Sequence, residues 1–324
     1  MPYKLVRDVI LAKAKDQFGT AELYGSDRTK IVVNPSEETE RLPWRYSYNL
    51  PTEEARIEEQ ERMDAFYRPI FEELMRERFS DGKCAPFEKI YLATTNCCNG
   101  KCGFCPAGND KSMRPVFLSA EILEKLISEL CSCSFTGKIS LHGVNEPLLD
   151  PRLEDICRMV KTRLPECRLQ ILTNGKLLTL DRLRNLLPVT DQIDIHVYDD
   201  RLSVPDRLKD IVSFCETDAR AGSVVRVYLR REHEILSQKG YGPCGRSKFS
   251  DIKSGCIMPF TTLSVLADGS VSYCDSDYLG RGAMGNLAES SVMDIWNGEA
   301  FNCYRRDMLN GRALTAYCRH CDFF

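Results

Sequence analysis

Seven of the sixteen cysteines in this 324-residue chain fall into two spaced groups, and the other nine are scattered. Cys98, Cys102 and Cys105 are compressed into a CxxxCxxC stretch, whereas Cys256, Cys274, Cys318 and Cys321 are spread over the last quarter of the chain. In a small secreted protein such a density would be a disulfide framework. This chain is large, and its first residues, Met1-Pro-Tyr-Lys-Leu-Val-Arg-Asp, carry charges where a secretion signal needs an apolar run. Clustered thiols in a reducing compartment bind metal or do chemistry, so a cytoplasmic metalloprotein is the expectation. With 43% apolar and 28% charged residues the chain can bury a core and stay soluble. Its net charge of −3 gives no general reason to expect nucleic acid or an anionic membrane as partner. No run approaches the roughly 18 apolar residues that would span a bilayer.

Three zones follow along the chain. Residues 1–87 are charged and read as a mostly helical accessory extension, with helical signals at Leu5–Phe18 and Thr52–Phe79 and a short apolar run at Ile31-Val32-Val33. In the second helix Ala55, Ile57, Met63, Phe66, Ile70, Phe71 and Leu74 recur at amphipathic spacing. Residues 88–254 alternate strands at Ile90–Thr95, Ile139–Leu141, Leu169–Leu172, Gln192–Tyr198 and Val224–Arg230 with helices near Ser119–Leu130, Leu153–Arg163, Leu180–Leu187 and Asp206–Cys215. That alternation predicts an α/β fold with a parallel sheet, either doubly wound or closed as a full or partial barrel. In residues 255–324, Asp268-Gly269 is a hairpin turn between Thr262–Leu266 and Ser270–Tyr273, and helices follow near Ser291–Trp296 and Ala300–Leu309.

The last two parallel strands discriminate between the closures. Ile193, Ile195 and Val197 alternate with Asp194, His196 and Tyr198, and Val225, Val227 and Leu229 alternate with Arg226, Tyr228 and Arg230. A sheet covered by helices on both faces should read as continuous apolar runs. Here period-two geometry gathers the polar residues on one surface, either a barrel lumen or the solvent face of an open sheet.

Three thiolates on one short loop can hold three irons of a cubane and leave the fourth open to a small bidentate ligand. A structural zinc would prefer four protein ligands, usually from paired CxxC units. Cys97 is an alternative ligand in the same loop. The loop, with Phe104 before its third cysteine and a strand before its first, resembles the cluster-binding loop of the radical S-adenosylmethionine superfamily. His142-Gly143-Val144-Asn145-Glu146-Pro147 is similar to that family's Gly-Gly-Glu-Pro motif, with two residues rather than one between the first Gly and the Glu. Thr173-Asn174-Gly175 ends the third strand as in many members.

The resemblance covers about Phe87 to Arg231 and implies a partial (β/α) barrel. It also implies S-adenosylmethionine as cofactor, with Phe104, Gly143, Asn145, Glu146, Pro147 and Asn174 around it, and a 4Fe–4S cluster on Cys98, Cys102 and Cys105. The family reduces the cofactor to a 5′-deoxyadenosyl radical that abstracts a substrate hydrogen. A one-electron donor such as flavodoxin or ferredoxin is therefore an expected partner.

By spacing alone, Cys256, Cys274, Cys318 and Cys321 suit either a four-thiolate zinc or a fully ligated 4Fe–4S cluster. The hairpin, Gly285-Asn286-Leu287, read as a turn, and Ile295-Trp296-Asn297 resemble the twitch module, a shortened relative of SPASM, and imply one auxiliary cluster. Cys244, in Gly242-Pro243-Cys244-Gly245, is a spare ligand, a hydrogen donor or a loop cysteine; Cys303 is the other candidate donor. Cys84, Cys131, Cys133, Cys157, Cys167 and Cys215 read as buried or incidental thiols.

A lumen containing Ser140, His142, Gln170, Asp194, His196, Tyr198, Arg226, Tyr228 and Arg230 suits hydroxyls and an anionic group. The expected substrate is therefore sugar-like, an aminocyclitol or nucleotide-derived. His142, Asp194, His196, Arg226, Tyr228 and Arg230 are the expected contacts, and Asp194 the expected ion-pair partner of an arginine on the next strand. An auxiliary cluster beside the substrate favours dehydrogenation. Epimerisation, sulfur insertion, a ribosomal-peptide maturase and a zinc-stabilised binding protein are the other readings.

Overall fold

The computed structural model describes residues 30–31, 52–103, 105, 114–199, 201–230, 252–277, 280–315, 318–319 and 321. The helical signal at Leu5–Phe18 lies outside them. The first elements are β1 (Lys30–Ile31), the long helix α1 (Glu53–Arg78), and a small hairpin of β2 (Phe79–Ser80) and β3 (Lys83–Cys84). The alternating region then supplies β4 (Lys89–Leu92), α2 (Ala120–Ser132), β5 (Lys138–Leu141), α3 (Leu153–Arg163), β6 (Arg168–Thr173), α4 (Leu180–Leu186) and β7 (Gln192–Tyr198). It closes with α5 (Asp206–Thr217), α6 (Ala219–Val224) and β8 (Val225–Arg230). The C-terminal region contains α7 (Met258–Thr261), β9 (Thr262–Val265), β10 (Ser270–Ser272), β11 (Ala283–Asn286), α8 (Val292–Trp296) and α9 (Glu299–Leu309).

One nine-stranded sheet runs in the order β1-β8-β7-β6-β5-β4-β9-β10-β11. Strands β4 to β8 pair in parallel and in sequence order, as the strand–helix alternation predicts. The order has two ends, so the barrel is partial. Its helical layer forms for reasons visible in the sequence. Helix α2 starts at Ser119, whose hydroxyl accepts from the Ile122 N–H at 3.2 Å, and buries Leu123, Leu126, Ile127 and Leu130. A cap of this kind contributes about 1 kcal/mol, whereas each fully buried Leu or Ile contributes about 1.5–3 kcal/mol. Packing of the apolar stripe therefore outweighs capping. Helix α3 repeats the pattern with Leu153, Ile156, Cys157 and Val160.

The alternation in β7 and β8 sorts as the sequence predicts. Ile193, Ile195, Val197, Val225, Val227 and Leu229 are all buried in the main core beside Leu208 and Ile211 of α5. A side chain on Gly175 would meet Ile195 Cγ2 at 2.7 Å and Leu208 Cδ2 at 3.3 Å, which fixes that face against the helix.

Three features depart from the sequence reading. Strand β9 forms the expected hairpin with β10 but also pairs in parallel with β4, Ile90 opposite Leu263 and Leu92 opposite Val265, so the C-terminal region continues the barrel sheet. Helix α1 packs on that same region, a partner the sequence reading did not name. The Asp64 carboxylate accepts from the N–H groups of Lys253 (3.1 Å) and Ser254 (2.8 Å), and the Arg78 guanidinium donates to the Phe260 carbonyl at 2.7 Å while pairing with Glu88. The amphipathic face was legible, but its partner lies some 180 residues further along the chain. Thirdly, Gly285 and Asn286, read as a turn, end strand β11; a Cβ on Gly285 would meet Ile295 Cγ1 at 2.9 Å, so the glycine serves close packing.

Candidate active site

The loop after β4 is pinned at its start. Asn96 Oδ1 accepts from the Val116 N–H at 2.8 Å, and Thr95 Oγ1 donates to the Val116 carbonyl at 2.9 Å. Beyond that anchor Cys98 is exposed, while Cys102 and Cys105 are half-buried. The Gly100 N–H donates to Cys98 Sγ at 3.3 Å. A Cβ on Gly100 would lie 3.3 Å from Cys98 Sγ and 3.6 Å from Cys102 Sγ, so both thiols stand over a backbone cradle. Although the residue as a whole is exposed, desolvation of its sulfur in the loop pushes the Cys98 thiol up, and the nearby Glu146 carboxylate and Cys105 add to it. Phe104 lies outside the described residues.

The structure brings the three loop motifs together. The Glu146 N–H donates to the Cys97 carbonyl at 2.8 Å, and Asn174 Nδ2 donates to Asn99 Oδ1 at 2.7 Å. Glu146 is buried, and its carboxylate accepts from Thr173 Oγ1 (2.7 Å), the Asn174 N–H (2.7 Å) and the Leu148 N–H (3.0 Å). Burial still pushes its pKa up, against those donors. Three donors occupy a carboxylate that can accept about four, which leaves room for one more. Pro147 opens the short 3₁₀ turn that Glu146 caps. Asn145 Oδ1 accepts from the Gly143 N–H at 2.8 Å, while Asn145 Nδ2 is buried with no partner. An orphaned buried amide donor beside a carboxylate suits a ligand carrying both an amine and a carboxylate, as S-adenosylmethionine does.

Beside these loops the inner faces of the strands form a continuous polar surface. Ser140 Oγ donates to Gln170 Oε1 at 3.0 Å, and Gln170 Nε2 donates to Asp194 Oδ2 at 2.6 Å. Gln192 Nε2 also donates to Asp194, at 2.8 Å. The His142 ring lies 5.3 Å from Tyr91, and His196 stacks on Tyr228 at 4.8 Å. In register Asp194 faces Arg226, His196 faces Tyr228, and Tyr198 faces Arg230. Asp194 is thus aligned with Arg226 and accepts hydrogen bonds from Gln170 and Gln192. Gln192 and Tyr91 were missed by the sequence reading. The signal was there: Gln192 precedes Asp194 by two residues, and Tyr91 interrupts Ile90 and Leu92.

The second cysteine group closes at the other end of the strands. Cys256 precedes β9 and Cys274 follows the antiparallel β10, so both lie at the edge opposite the first loop. Arg312 is buried and donates to the carbonyls of Ser254 (3.0 Å), Gly255 (3.4 Å) and Cys321 (3.3 Å), tying the Cys256 arm to the C-terminal arm. Its guanidinium also lies near the thiols of Cys256, Cys318 and Cys321 and near Asp64, which hold its charge. The Tyr304 hydroxyl lies 2.8 Å from Cys318 Sγ, and burial pushes that thiol up to about 12. A proton is costly to remove from such a thiol unless a metal centre takes its place. Among the described residues no three His, Cys, Asp or Glu side chains close on a single ion; thiolates holding a cluster are shared among its irons.

Of the remaining candidates, Cys244 lies outside the described residues. Cys303 is exposed on α9, 3.0 Å from both Glu299 Oε1 and Arg306 Nη2. Cys84, Cys157, Cys167 and Cys215 are buried, Cys131 is half-buried and Cys133 exposed.

A partial barrel thus carries Cys98, Cys102 and Cys105 on the loop at one end of its parallel strands, and Cys256, Cys318 and Cys321 near one another at the other. The Radical SAM superfamily model matches residues 92–215, and SPASM, an iron-sulfur cluster-binding domain, matches residues 256–322. The S-adenosyl-L-methionine-dependent 2-deoxy-scyllo-inosamine dehydrogenase of Niallia circulans is 27% identical over 237 residues, 73% of this chain and 93% of the relative. The crystal structure of BtrN in complex with AdoMet and 2-DOIA superposes with a TM-score of 0.63 at 25% identity, covering 73% of this chain and 93% of that one. Streptococcus suis SuiB bound to precursor peptide SuiA shares the fold, with a TM-score of 0.53 at 15% identity over 73% and 72% of the two chains. This chain is a radical S-adenosylmethionine oxidoreductase with a C-terminal SPASM module, and its cofactors are S-adenosylmethionine and iron–sulfur clusters, the auxiliary one in that module. The choice between zinc and iron–sulfur, open on spacing alone, is thereby settled. Among the described residues no helix is long and apolar enough to cross a membrane.

Proposed function

We propose that this enzyme dehydrogenates a secondary alcohol on an aminocyclitol or a similarly polar small molecule. The observation that carries the reading is the hydrogen-bonded polar surface between the two cysteine sites, from Ser140 through Gln170 to Asp194 and on to the His196–Tyr228 stack. The aminocyclitol substrate of the Niallia circulans relative supports it.

Cys98, Cys102 and Cys105 would hold the cofactor-binding cluster, and Cys256, Cys274, Cys318 and Cys321 the auxiliary one, both of the 4Fe–4S type. When bound, S-adenosylmethionine and the clusters supply a hydrogen-atom acceptor and an electron acceptor, so an alcohol going to a ketone leaves one proton for the protein. The proton acceptors available on the polar surface are Asp194 and His196. Asp194 is oriented by Gln170 and Gln192, which fix its carboxylate on the polar surface. Arg226 and Arg230, aligned with Asp194 and Tyr198, add positive charge at the same surface. Asn145 and Glu146 would hold the amino-acid end of the cofactor. The first cluster needs a one-electron donor, of the flavodoxin or ferredoxin kind. Of the two candidate donors for epimerisation, Cys303 lies exposed on its helix beside Glu299 and Arg306.

The test is anaerobic incubation of reconstituted protein with S-adenosylmethionine, a one-electron reductant and 2-deoxy-scyllo-inosamine. A ketone and 5′-deoxyadenosine in about equal amounts are expected. 5′-Deoxyadenosine without ketone, across a panel of aminocyclitols and sugars, would show that the substrate class is wrong.

A further inference from the structure

We infer that Tyr304 is a positioning residue that raises the reduction potential of the auxiliary cluster, by donating its phenolic hydrogen bond to the Cys318 thiolate. This rests on the reading that Cys256, Cys274, Cys318 and Cys321 hold that cluster and that it accepts an electron.

Tyr304 is not a loosely placed surface side chain. Its helix, α9, buries Phe301, Asn302, Arg305 and Met308 on one face, which sets the helix rotation. Arg305 is fully buried beside it, donating to the carbonyls of Trp296 (2.6 Å) and Pro259 (2.9 Å), with its guanidinium 4.0 Å from the Trp296 ring and 4.7 Å from Phe301. With the helix locked, the Tyr304 ring stacks on Tyr273 at 4.6 Å, and Tyr273 is the residue before Cys274. The hydroxyl then reaches Cys318 Sγ at 2.8 Å. One side chain therefore touches both arms of the cysteine set.

The direction of this hydrogen bond follows from ligation. Either atom could donate between a thiol and a phenol, but a sulfur bound to iron has no proton, so the phenol becomes the donor. Hydrogen bonds to cluster sulfurs stabilise the electron-rich reduced state and raise the potential. At the first site Cys98 Sγ accepts a longer bond, from the Gly100 N–H at 3.3 Å, and has the Glu146 carboxylate nearby. One cluster in this chain must give an electron away and the other must take one up. The shorter hydroxyl bond sits on the acceptor.

The experiment uses the full-length Cys98→Ala/Cys102→Ala/Cys105→Ala variant, which isolates the auxiliary site, and reads its potential by redox titration followed by electron paramagnetic resonance. Adding Tyr304→Phe should leave iron content unchanged and disfavour reduction about tenfold, about 59 mV for a one-electron couple. An unchanged potential at full iron content overturns the role of Tyr304. Absence of iron from the triple variant overturns the site assignment itself, a separate failure. Should the Phe protein not take up iron, 3-fluorotyrosine at position 304 decides: as a stronger donor it should shift the potential upward, and no shift overturns the inference.

Discussion

Cys98 lies exposed on a loop that is tied to its neighbours mainly through backbone groups and two asparagines, with a carboxylate close by. Cys318 lies in a folded module where a buried guanidinium bridges the ligand arms and a phenol touches the sulfur. The first site is open, with a carboxylate beside its thiols. The second is half-buried, with a guanidinium beside its thiols. The same residue type thus sits in contrasting surroundings, and surroundings tune what a metal-bound thiolate can do.

The most damaging test of this division is removal of the first site. The Cys98→Ala/Cys102→Ala/Cys105→Ala protein should keep about half of the roughly eight irons expected for two 4Fe–4S clusters and form no 5′-deoxyadenosine. Iron analysis and chromatography read both. If cofactor cleavage persisted, the two sites would not be divided as described. Cys318→Ala or Cys321→Ala should act in the other sense. 5′-Deoxyadenosine still forms while ketone falls sharply, and comparing the two yields measures the uncoupling. Equal loss of both would mean that the sites are not functionally separate.

Smaller effects are expected between and around the sites. Arg226→Ala or Arg230→Ala should leave both clusters in place and weaken substrate or cofactor binding by about 2 kcal/mol, roughly thirtyfold. Both arginines are half-buried, so the low end of the range for a truncated charge pair applies. Titration calorimetry with S-adenosylmethionine, and the Michaelis constant for substrate, tell the two ligands apart. The smallest change concerns Gly269, at φ 83° in the β9–β10 turn, where a Cβ would meet Ile122 Cδ1 at 2.7 Å. Gly269→Ala should cost about 1–3 kcal/mol, seen as a lower thermal midpoint, with cofactor cleavage retained. An unchanged midpoint would mean that the turn does not hold the module to α2.

What the sequence disclosed divides along similar lines. The first cysteine loop, Glu146-Pro147 and Asn174 were legible because their spacing is local, and the structure joins them through Cys97, Asn99 and Thr173. The polar face of β7 and β8 was legible because side chains alternate across a strand. The parallel pairing of β4 with β9 was not, since more than 160 residues separate partners such as Lys89 and Thr262 and no periodicity encodes the match. Nor were Tyr304 and Arg312 visible as neighbours of cysteines. A tyrosine in an amphipathic helix and an arginine in a tail carry no sign of what they approach.

The β4–β9 pairing has a consequence for how the chain can be cut. Ile90 and Leu92 of β4 are fully buried, and β9 satisfies the backbone groups along that side of the strand. A chain ending at residue 230 would leave β4 as a bare edge strand with apolar side chains, a template for pairing with other molecules. The parallel strands would retain the first cysteine loop yet associate edge to edge, so the module works as a cover against self-assembly as well as a container for metal. Light scattering on such a truncation would show aggregates, and a stable monomer would disprove the point.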